Sequence, residues 1–225
     1  MTKIETNQEI VAVFDLDRTL SKKDTYLAFL FLALKVRPHR FFYTLHLPIS
    51  VLVFCLGIRD NSWLKSEFLK AIAGSATRSQ VAAWSSELVD RLQKNGLRKQ
   101  ALEQLEYHRE AGHRTILLTA SFDFYVHRLA ERLKFDHVIC SDAAWTNSGL
   151  LAGGFVSENC HGAVKLNKLK NYLTGKRRDW HIIAFSDHHS DLPLLEWADY
   201  SVAVNPTRPL REIALQKNIK IQNWN

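Results

Sequence analysis

Short apolar runs alternate with longer stretches of helical spacing along most of this chain. Five runs of four or five mainly apolar residues predict buried strands: 11–14, 115–119, 137–140, 181–185 and 201–204. Apolar residues three or four positions apart predict helices between most of these strands. Continuous apolar strands separated by helices are typical of a mostly parallel sheet that helices cover on both faces. The pattern therefore predicts an α/β fold.

Between the first two predicted strands the chain shows helical spacing only. Asp24 follows a polar turn and is suited to cap a helix that begins at Thr25. Further helical stripes follow, and a last helix over 97–111 stops at Gly112. The pattern thus predicts about eighty residues of helix inserted after the first strand.

One segment of this insertion, residues 41–57, is unusually apolar. It is long for a helix of a protein core, but His46, Pro48 and Ser50 interrupt it, and it falls short of a clean membrane span. The segment predicts a buried helical pair. Contact with a membrane interface is the second interpretation and a true span the third.

The composition limits the classes of partner. The chain has 225 residues, of which 46% are hydrophobic and 24% charged, as in an ordinary globular protein. Its net charge of +7 favours anionic partners, namely nucleic acid, lipid headgroups or phosphorylated metabolites. The basic residues are dispersed, and no helix has a basic face with interleaved aromatic residues, so nucleic acid is not expected.

The cysteines and the first residues bear on the compartment. The chain has three cysteines: Cys55, Cys140 and Cys160. Their odd number and the lack of CxxC spacing argue against a disulfide framework or a thiolate metal site. Residues 1–9 are polar and lack the apolar region of a signal peptide. The expected location is the cytoplasm.

Two acids follow the first predicted strand directly. On an extended backbone Asp15 and Asp17 would point to the same face, and Thr19 would continue that alternation. The carboxyl end of a buried strand is where an open α/β sheet binds its ligand. The alternative is a solvated acidic turn.

Two further stretches of the chain place polar side chains where a phosphate could bind. Thr119, with Ala120 and Ser121, is predicted to end the second strand and to open a helix, where hydroxyls and free amides suit a phosphate oxygen. A simple helix cap explains them equally well. Lys165 begins another helix, off its apolar face, and is either a phosphate ligand or a solvated lysine.

Asp187 and Asp191 follow the fourth strand, four positions apart. They form either a turn and a cap or a set of oxygen ligands for Mg²⁺, which prefers carboxylates, waters and substrate phosphate. His188 and His189 lie between them, and histidines are common zinc ligands, so a zinc site is an alternative interpretation. The hard oxygen donors favour Mg²⁺ instead, and a histidine pair in a loop more often faces solvent.

In this order, the four motifs resemble those of haloacid dehalogenase (HAD) superfamily phosphatases, in the subgroup similar to phosphoserine phosphatase. The motifs are Asp15-Leu-Asp-Arg-Thr19, Thr119-Ala-Ser121, Lys165 and Ser186-Asp-His-His-Ser-Asp191. The resemblance implies a Rossmann-like doubly wound parallel sheet with an all-helical cap inserted after the first strand. It implies a HAD-like catalytic core at residues 1–20 and 105–225 and a substrate-selecting cap at 21–104.

The resemblance also implies chemical roles. Asp15 would be the nucleophile that forms an aspartyl-phosphate, and Asp17 the general acid and base. Thr119 and Lys165 would hold the phosphoryl oxygens. Mg²⁺ would be bound by Asp15, by the backbone carbonyl of Asp17 and by Asp187.

The remaining implied positions concern metal support and substrate binding. Asp191 would be a metal ligand or would support one. Arg18, Asp24, Ala120 and Ser121 would contact the substrate. Arg18 stands where phosphoserine phosphatases usually carry a small residue, and Asp24 roughly where serine-specific members have a glutamate. The second and fourth motifs also differ in sequence, which weakens the case for phosphoserine but leaves the chemistry intact.

The predicted function is Mg²⁺-dependent hydrolysis of a phosphomonoester. The apolar segment 29–56 and the positive charge favour a lipid-like or amphipathic phosphate. The resemblance implies the phosphatidylglycerophosphate type, because bacterial phosphatases for that lipid in the same superfamily carry a comparable apolar insertion near this position. A small metabolite, such as phosphoserine or histidinol phosphate, is favoured about equally. A lipid headgroup would bring the cap into peripheral contact with the inner face of the membrane. A phosphotransferase and a non-catalytic phospho-ligand binder are less favoured, and the oligomeric state is open.

Overall fold

A computed structural model of the protein describes residues 8–225; residues 1–7, part of the polar N-terminal stretch, lie outside the described residues. Its strands are β1 (Glu9–Phe14), β2 (Arg114–Phe122), β3 (His137–Ser141), β4 (Ala143–Trp145), β5 (Leu151–Phe155), β6 (Trp180–Ser186), β7 (Tyr200–Val204) and β8 (Lys220–Gln222). Six of them form a sheet in the order β3-β2-β1-β6-β7-β8, with every neighbouring pair parallel. The predicted mostly parallel sheet is confirmed.

Helices flank the sheet and fill the segment between its first two strands. The α-helices are α1 (Thr25–Val36), α2 (Leu47–Cys55), α3 (Asn61–Ala73), α4 (Arg78–Arg91), α5 (Lys99–Glu110), α6 (Asp123–Leu133), α7 (Ala163–Tyr172), α8 (Leu192–Trp197) and α9 (Arg208–Gln216). A 3₁₀ helix, Pro38–Thr44, lies between α1 and α2. The predicted helical insertion after the first strand is confirmed. The predicted boundary between residues 104 and 105 falls inside α5, and the division into core and cap stays a prediction.

Both faces of the sheet are buried. Along β1, Val11 and Val13 join one apolar cluster, whereas Ala12 and Phe14 join the cluster on the opposite face. This alternation follows from the two-residue repeat of a strand. Because the chain adds β2 and β3 on one side of β1 before it crosses to β6 on the other, the order of the strands reverses at β1. Such a point is where open α/β sheets bind ligands.

The end of the sheet was not predicted. β8 is three residues long and α9 buries only Leu210 and Ala214. A three-residue strand carries too little alternation to be recognised, and two buried positions do not make a helical stripe.

The insertion packs against the helices of the sheet. Phe29 of α1 lies 4.7 Å from the ring of Phe124 and 5.7 Å from that of Tyr125, measured between ring centroids. The buried apolar residues of α1, α3 and α4 therefore form one continuous cluster with those of the sheet face.

A hairpin of β4 and β5 lies on α3 of the insertion. Gly153 in β5 has φ +86°, and a Cβ atom there would lie 2.6 Å from the Cα of Lys70. Only glycine allows this backbone conformation and this close approach together. The hairpin is thus held directly against the backbone of α3.

The predicted burial of segment 41–57 is wrong. The segment does form a helical pair, the 3₁₀ helix and α2, but α2 buries only Leu47 and Ser50. An apolar helix is buried only if another element covers it. The α2 helix packs on α3 along one narrow edge, so most of its apolar side chains stay exposed. Among the helices of residues 8–225, none has both the length and the apolar character needed to cross a membrane.

Candidate active site

A cavity of about 420 Å³ opens at the carboxyl ends of β1, β2 and β6. The predicted site residues that line it are Asp15, Asp17, Arg18, Asp24, Thr119, Ala120, Lys165, Asp187 and Asp191. Ser121 does not line it and lies behind it, fully buried. The fold therefore brings residues from five separate stretches of the chain to one crevice.

A buried lysine joins two carboxylates at the floor of this cavity. Lys165 Nζ donates to Asp15 Oδ1 and to Asp191 Oδ2, each at 2.6 Å. Lys165, Asp15 and Asp191 are only 2%, 7% and 3% exposed, so the solvated-lysine interpretation is wrong. Ser186 Oγ donates a further bond of 2.7 Å to Asp191 Oδ2.

Local backbone geometry aims Lys165 at the floor. Lys165 is the third residue of α7, and Gly162 precedes that helix with φ 59° and ψ −129°. This conformation is accessible mainly to glycine. It turns the chain so that the first turn of α7 faces the ends of β1 and β6.

The floor carries more negative than positive charge. Burial raises the pKa of Asp15; Lys165 opposes that shift, and repulsion from Asp191, Asp187 and Asp17 adds to it. Burial, and then repulsion from Asp191, raise the pKa of Asp187 to about 7. Three buried carboxylates thus share one buried ammonium.

This imbalance suits a divalent cation. Among the described residues, no three carboxylate, imidazole or thiol side chains lie close enough together to form a metal cluster on their own. Mg²⁺ commonly takes one or two carboxylates and completes its shell with water and phosphate oxygens. Asp15 and Asp187 line the same cavity and could each supply one carboxylate oxygen to such a shell. Asp191 already accepts two bonds at Oδ2, which favours the supporting role.

Asp17 is fixed by two short hydrogen bonds. Its Oδ1 accepts from the amide of Thr25 at 2.5 Å, and its Oδ2 accepts from Ser121 Oγ at 2.6 Å. The Thr25 amide belongs to the first turn of α1, where helix amides lack partners within the helix. The carboxylate is therefore held between the first helix of the insertion and the end of β2.

The strand alternation predicted through Thr19 is wrong. β1 ends at Phe14, and residues 16–20 form a tight turn in which Arg18 has φ 62°. Ser21 closes that turn by donating its amide to Leu16 O at 2.9 Å. Thr19 is fully buried, and its hydroxyl has no hydrogen-bond partner among residues 8–225.

The helix predicted to open at Thr119 begins later. β2 continues through Phe122 and α6 begins at Asp123. The amide of Ser121 donates to Thr119 Oγ1 at 3.0 Å, so this amide is engaged rather than free. A strand register shift between Leu118 and Phe122 accompanies this path. Thr119 still lines the cavity, through its position at the strand end.

Arg18 and Asp24 lie at the cavity mouth. Arg18 is exposed, and its charge acts on Asp187. Asp24 caps α1 as predicted, since its Oδ1 accepts from the amide of Leu27 at 2.8 Å. Both also line the cavity.

Lys65 of α3 was missed. Its Nζ donates to the carbonyl of Ala120 at 2.6 Å and lies 4.9 Å and 4.8 Å from the ring centroids of Tyr26 and Phe122. Burial lowers its pKa to about 8, while the nearby acids oppose that shift. In the sequence, Lys65 is one polar position among several on a helical stripe. Its role depends on how α3 folds over the strand ends, which local pattern does not reveal.

Comparisons with known proteins agree with this fold. The model of the family described as haloacid dehalogenase-like hydrolase matches residues 12–196. A phosphoserine phosphatase from Mycobacterium tuberculosis is 27% identical over 176 residues, which cover 75% of this chain but 56% of that protein. The chain thus spans little more than half the length of that relative.

Solved structures share the fold. A protein of unknown function from Bordetella pertussis Tohama I has a TM-score of 0.82 and 25% identity, over 95% of this chain and 98% of that one. A phosphoserine phosphatase solved as a phospho-aspartyl intermediate analogue has a TM-score of 0.61 and 17% identity, over 95% of this chain and all of that one.

Proposed function

The chain belongs to the haloacid dehalogenase-like hydrolase family, and on that premise we propose that it is a phosphatase that hydrolyses a phosphomonoester. One observation carries the proposal: Lys165 is buried between Asp15 and Asp191 at the floor of a cavity formed by strand ends. A buried ammonium in this position offsets the charge of a phosphoryl group that enters beside a carboxylate. A merely structural ion pair has no need of an open cavity above it.

In this proposal Asp15 is the nucleophile. Its carboxylate attacks phosphorus, the bond between phosphorus and the leaving oxygen breaks, and an aspartyl-phosphate forms. Water then attacks that phosphorus, the bond between phosphorus and the Asp15 oxygen breaks, and inorganic phosphate and the free carboxylate are released. Two easier displacements replace one difficult one.

Asp17 serves as general acid and then as general base. It donates a proton to the leaving oxygen and later removes one from the attacking water. The bonds from Thr25 and Ser121 hold its carboxylate in place at the cavity wall. Thr119 and Lys165 contact the phosphoryl oxygens in this arrangement.

Asp15, Asp187 and the carbonyl of Asp17 are the proposed Mg²⁺ ligands, with Asp191 in support. When bound, the ion would lower the repulsion between an anionic nucleophile and an anionic substrate. The raised pKa of Asp187 supports this assignment, since a buried carboxyl that resists ionisation gains from a nearby cation.

A phosphate-release screen tests the proposed function. Purified protein is incubated with p-nitrophenyl phosphate, phosphorylated metabolites and phosphorylated lipids, with Mg²⁺ or with a chelator. We expect Mg²⁺-dependent release of inorganic phosphate from at least one of these compounds. Background release from all of them would contradict the proposal.

We expect Mg²⁺ to stabilise the folded protein in the absence of substrate. At about ten times its Kd a ligand adds about 1.4 kcal/mol to the free energy of unfolding, which is a rise of about 3–5 °C in Tm for a chain of this size. Differential scanning fluorimetry measures this shift. Asp187→Asn should abolish it, whereas Asp142→Asn, at an exposed position, should retain it. An equal shift in both variants would show that the ion binds elsewhere.

Lys65→Met should weaken the binding of anionic substrates. A hydrogen bond to a charged group contributes about 1.5–3 kcal/mol, so KM should rise about tenfold to a hundredfold with a smaller change in kcat. Because Lys65 is charged only below its pKa of about 8, kcat/KM of the unmodified protein should fall as the pH rises through 8. The variant should lack that fall, and Lys70→Met on the exposed side of α3 should keep it.

The class of substrate is open between two alternatives. A small phosphorylated metabolite fits the charged groups of Lys65 and Asp24, which line the cavity. A lipid-type phosphate fits the apolar residues Leu27, Leu64 and Phe68 of the cavity wall. A phosphotransferase would form a phosphorylated alcohol when alcohols are added, and analysis of the products of such incubations tests this alternative.

A cytoplasmic location stays a prediction. Cys55, Cys140 and Cys160 are free thiols in the structure, which fits a reducing compartment.

A further inference from the structure

Exposed apolar side chains are concentrated in one part of the molecule. Of the large apolar residues that are exposed in residues 8–225, thirteen lie between residues 27 and 58. The remaining four are Tyr107, Val156, Tyr200 and Leu215. We call the exposed apolar residues of the 3₁₀ helix, α2 and their flanks the α2 surface: Phe41, Phe42, Tyr43, Leu45, Ile49, Val51, Leu52, Phe54, Leu56 and Ile58.

The α2 helix is apolar on nearly every side. None of its nine residues is charged, and the two that it buries, Leu47 and Ser50, lie on one edge. Phe42 and Leu52 are 73% and 58% exposed. A contiguous apolar surface of this kind on a folded protein marks an interaction site.

The segment that carries the α2 surface contains basic residues and no acid of its own. No aspartate or glutamate occurs from residue 25 to residue 59, whereas that segment contains Lys35, Arg37, Arg40 and Arg59. Arg40 is buried and donates to the carbonyls of Ala71 and Lys70. Lys35 and Arg59 are exposed and have no acidic partner in the segment. The segment is therefore apolar and basic, and the acids nearest to it belong to α3: Asp60, which caps that helix, and Glu67, which lies 3.3 Å from His46 Nε2.

We propose that the α2 surface docks on an anionic lipid bilayer, with its apolar side chains inserted among the headgroups and the exposed basic residues of segment 25–59 on the lipid phosphates. Apolar insertion and attraction to anionic lipid add in this mode of binding. The α2 helix is about 14 Å long, and the hydrocarbon core of a bilayer is about 30 Å thick, so the segment lies in the interface rather than crossing it.

A second copy of this chain fits the surface less well. A two-fold dimer places the same patch on both sides of the interface. Segment 25–59 of both protomers, with four basic residues and no acid in each, would then lie in one interface. Anionic lipid provides the compensating charge.

Flotation with liposomes tests the docking surface. The probes are vesicles of equal parts phosphatidylglycerol and phosphatidylcholine, and vesicles of phosphatidylcholine alone. We expect the protein to float with the anionic vesicles and to bind at least about tenfold less to the neutral ones. Raising the salt concentration should weaken the anionic binding.

Matched variants separate the surface from general stickiness. Phe42→Ser with Leu52→Ser should lower binding to anionic vesicles about tenfold or more. Val156→Ser with Leu215→Ser removes the same kind of exposed apolar area elsewhere and should leave binding unchanged. Lys35→Glu with Arg59→Glu should lower anionic binding as well. Tm should be unchanged in all three variants because the substituted side chains are exposed. The turnover of p-nitrophenyl phosphate should also be unchanged, because none of these residues lines the cavity.

Three results would overturn the proposal. They are no flotation with anionic vesicles at low salt, equal flotation of the α2-surface variant, and a dimer in sedimentation velocity that the α2-surface variant abolishes. None of these results depends on the phosphatase assignment, which the phosphate-release screen tests separately.

Discussion

Asp15→Asn should lower phosphate release about 10⁴-fold or more, with the fold retained. An amide has nearly the same shape as a carboxylate, but its oxygen is a poor nucleophile toward phosphorus. The substitution also removes one of three buried carboxylates that share a single ammonium, so the folded state loses repulsion as well as an ion pair. We therefore expect the free energy of unfolding to change little.

Phosphate release from p-nitrophenyl phosphate and circular dichroism measure the two parts of this prediction. Asp142→Asn is the matched control, since that aspartate is exposed, and it should retain full activity. Substantial Mg²⁺-dependent activity in the Asp15 variant would exclude this residue as the nucleophile.

Lys165→Met should reduce both activity and stability. The variant leaves Asp15 and Asp191 buried without their shared cation, and breaking a buried ion pair from one side costs about 3–5 kcal/mol. The loss of charge stabilisation at the phosphoryl group should lower kcat about 10³-fold. Lys170→Met, on the exposed side of the same helix, should change neither quantity strongly.

The stability of the Lys165 variant should depend on pH in a definite direction. Burial raises the folded-state pKa values of Asp15 and Asp187 and Lys165 lowers them, so without the ammonium both lie further above their unfolded values. Groups of this kind contribute stability at low pH and lose it as the pH rises through the folded-state pKa. The variant should therefore be less destabilised at pH 5 than at pH 8, as measured by denaturant unfolding. A destabilisation that is equal at both values would mean that the acids stay ionised without Lys165.

The sequence alone predicts the sheet and most of the residues at its carboxyl edge. The acids of the first and fourth motifs directly follow apolar runs, so a parallel sheet brings them together whatever the detailed turns are. Lys165 is different, because helical spacing places it off the apolar face, and only the approach of α7 to the ends of β1 and β6 buries it.

Other features depended on tertiary contacts that no local pattern contains. Thr19 is not displayed on a strand face because the tight turn at Arg18 ends the extended backbone early. Lys65 lies on the cavity wall because α3 folds over the end of β2. Burial of segment 41–57 was inferred from its apolar character, yet burial also requires a covering element, and α2 has only one edge against α3.

The close contact at Gly153 couples the stability of the insertion to that of the sheet. The hairpin that it holds against α3 belongs to the chain after β3, whereas α3 belongs to the insertion between β1 and β2. Together with the rings of Phe29 and Tyr125, this contact ties the two parts into one cooperative unit. A substitution that destabilises the insertion should therefore also destabilise the elements that hold Asp15 and Lys165. The two walls of the cavity should unfold in a single transition.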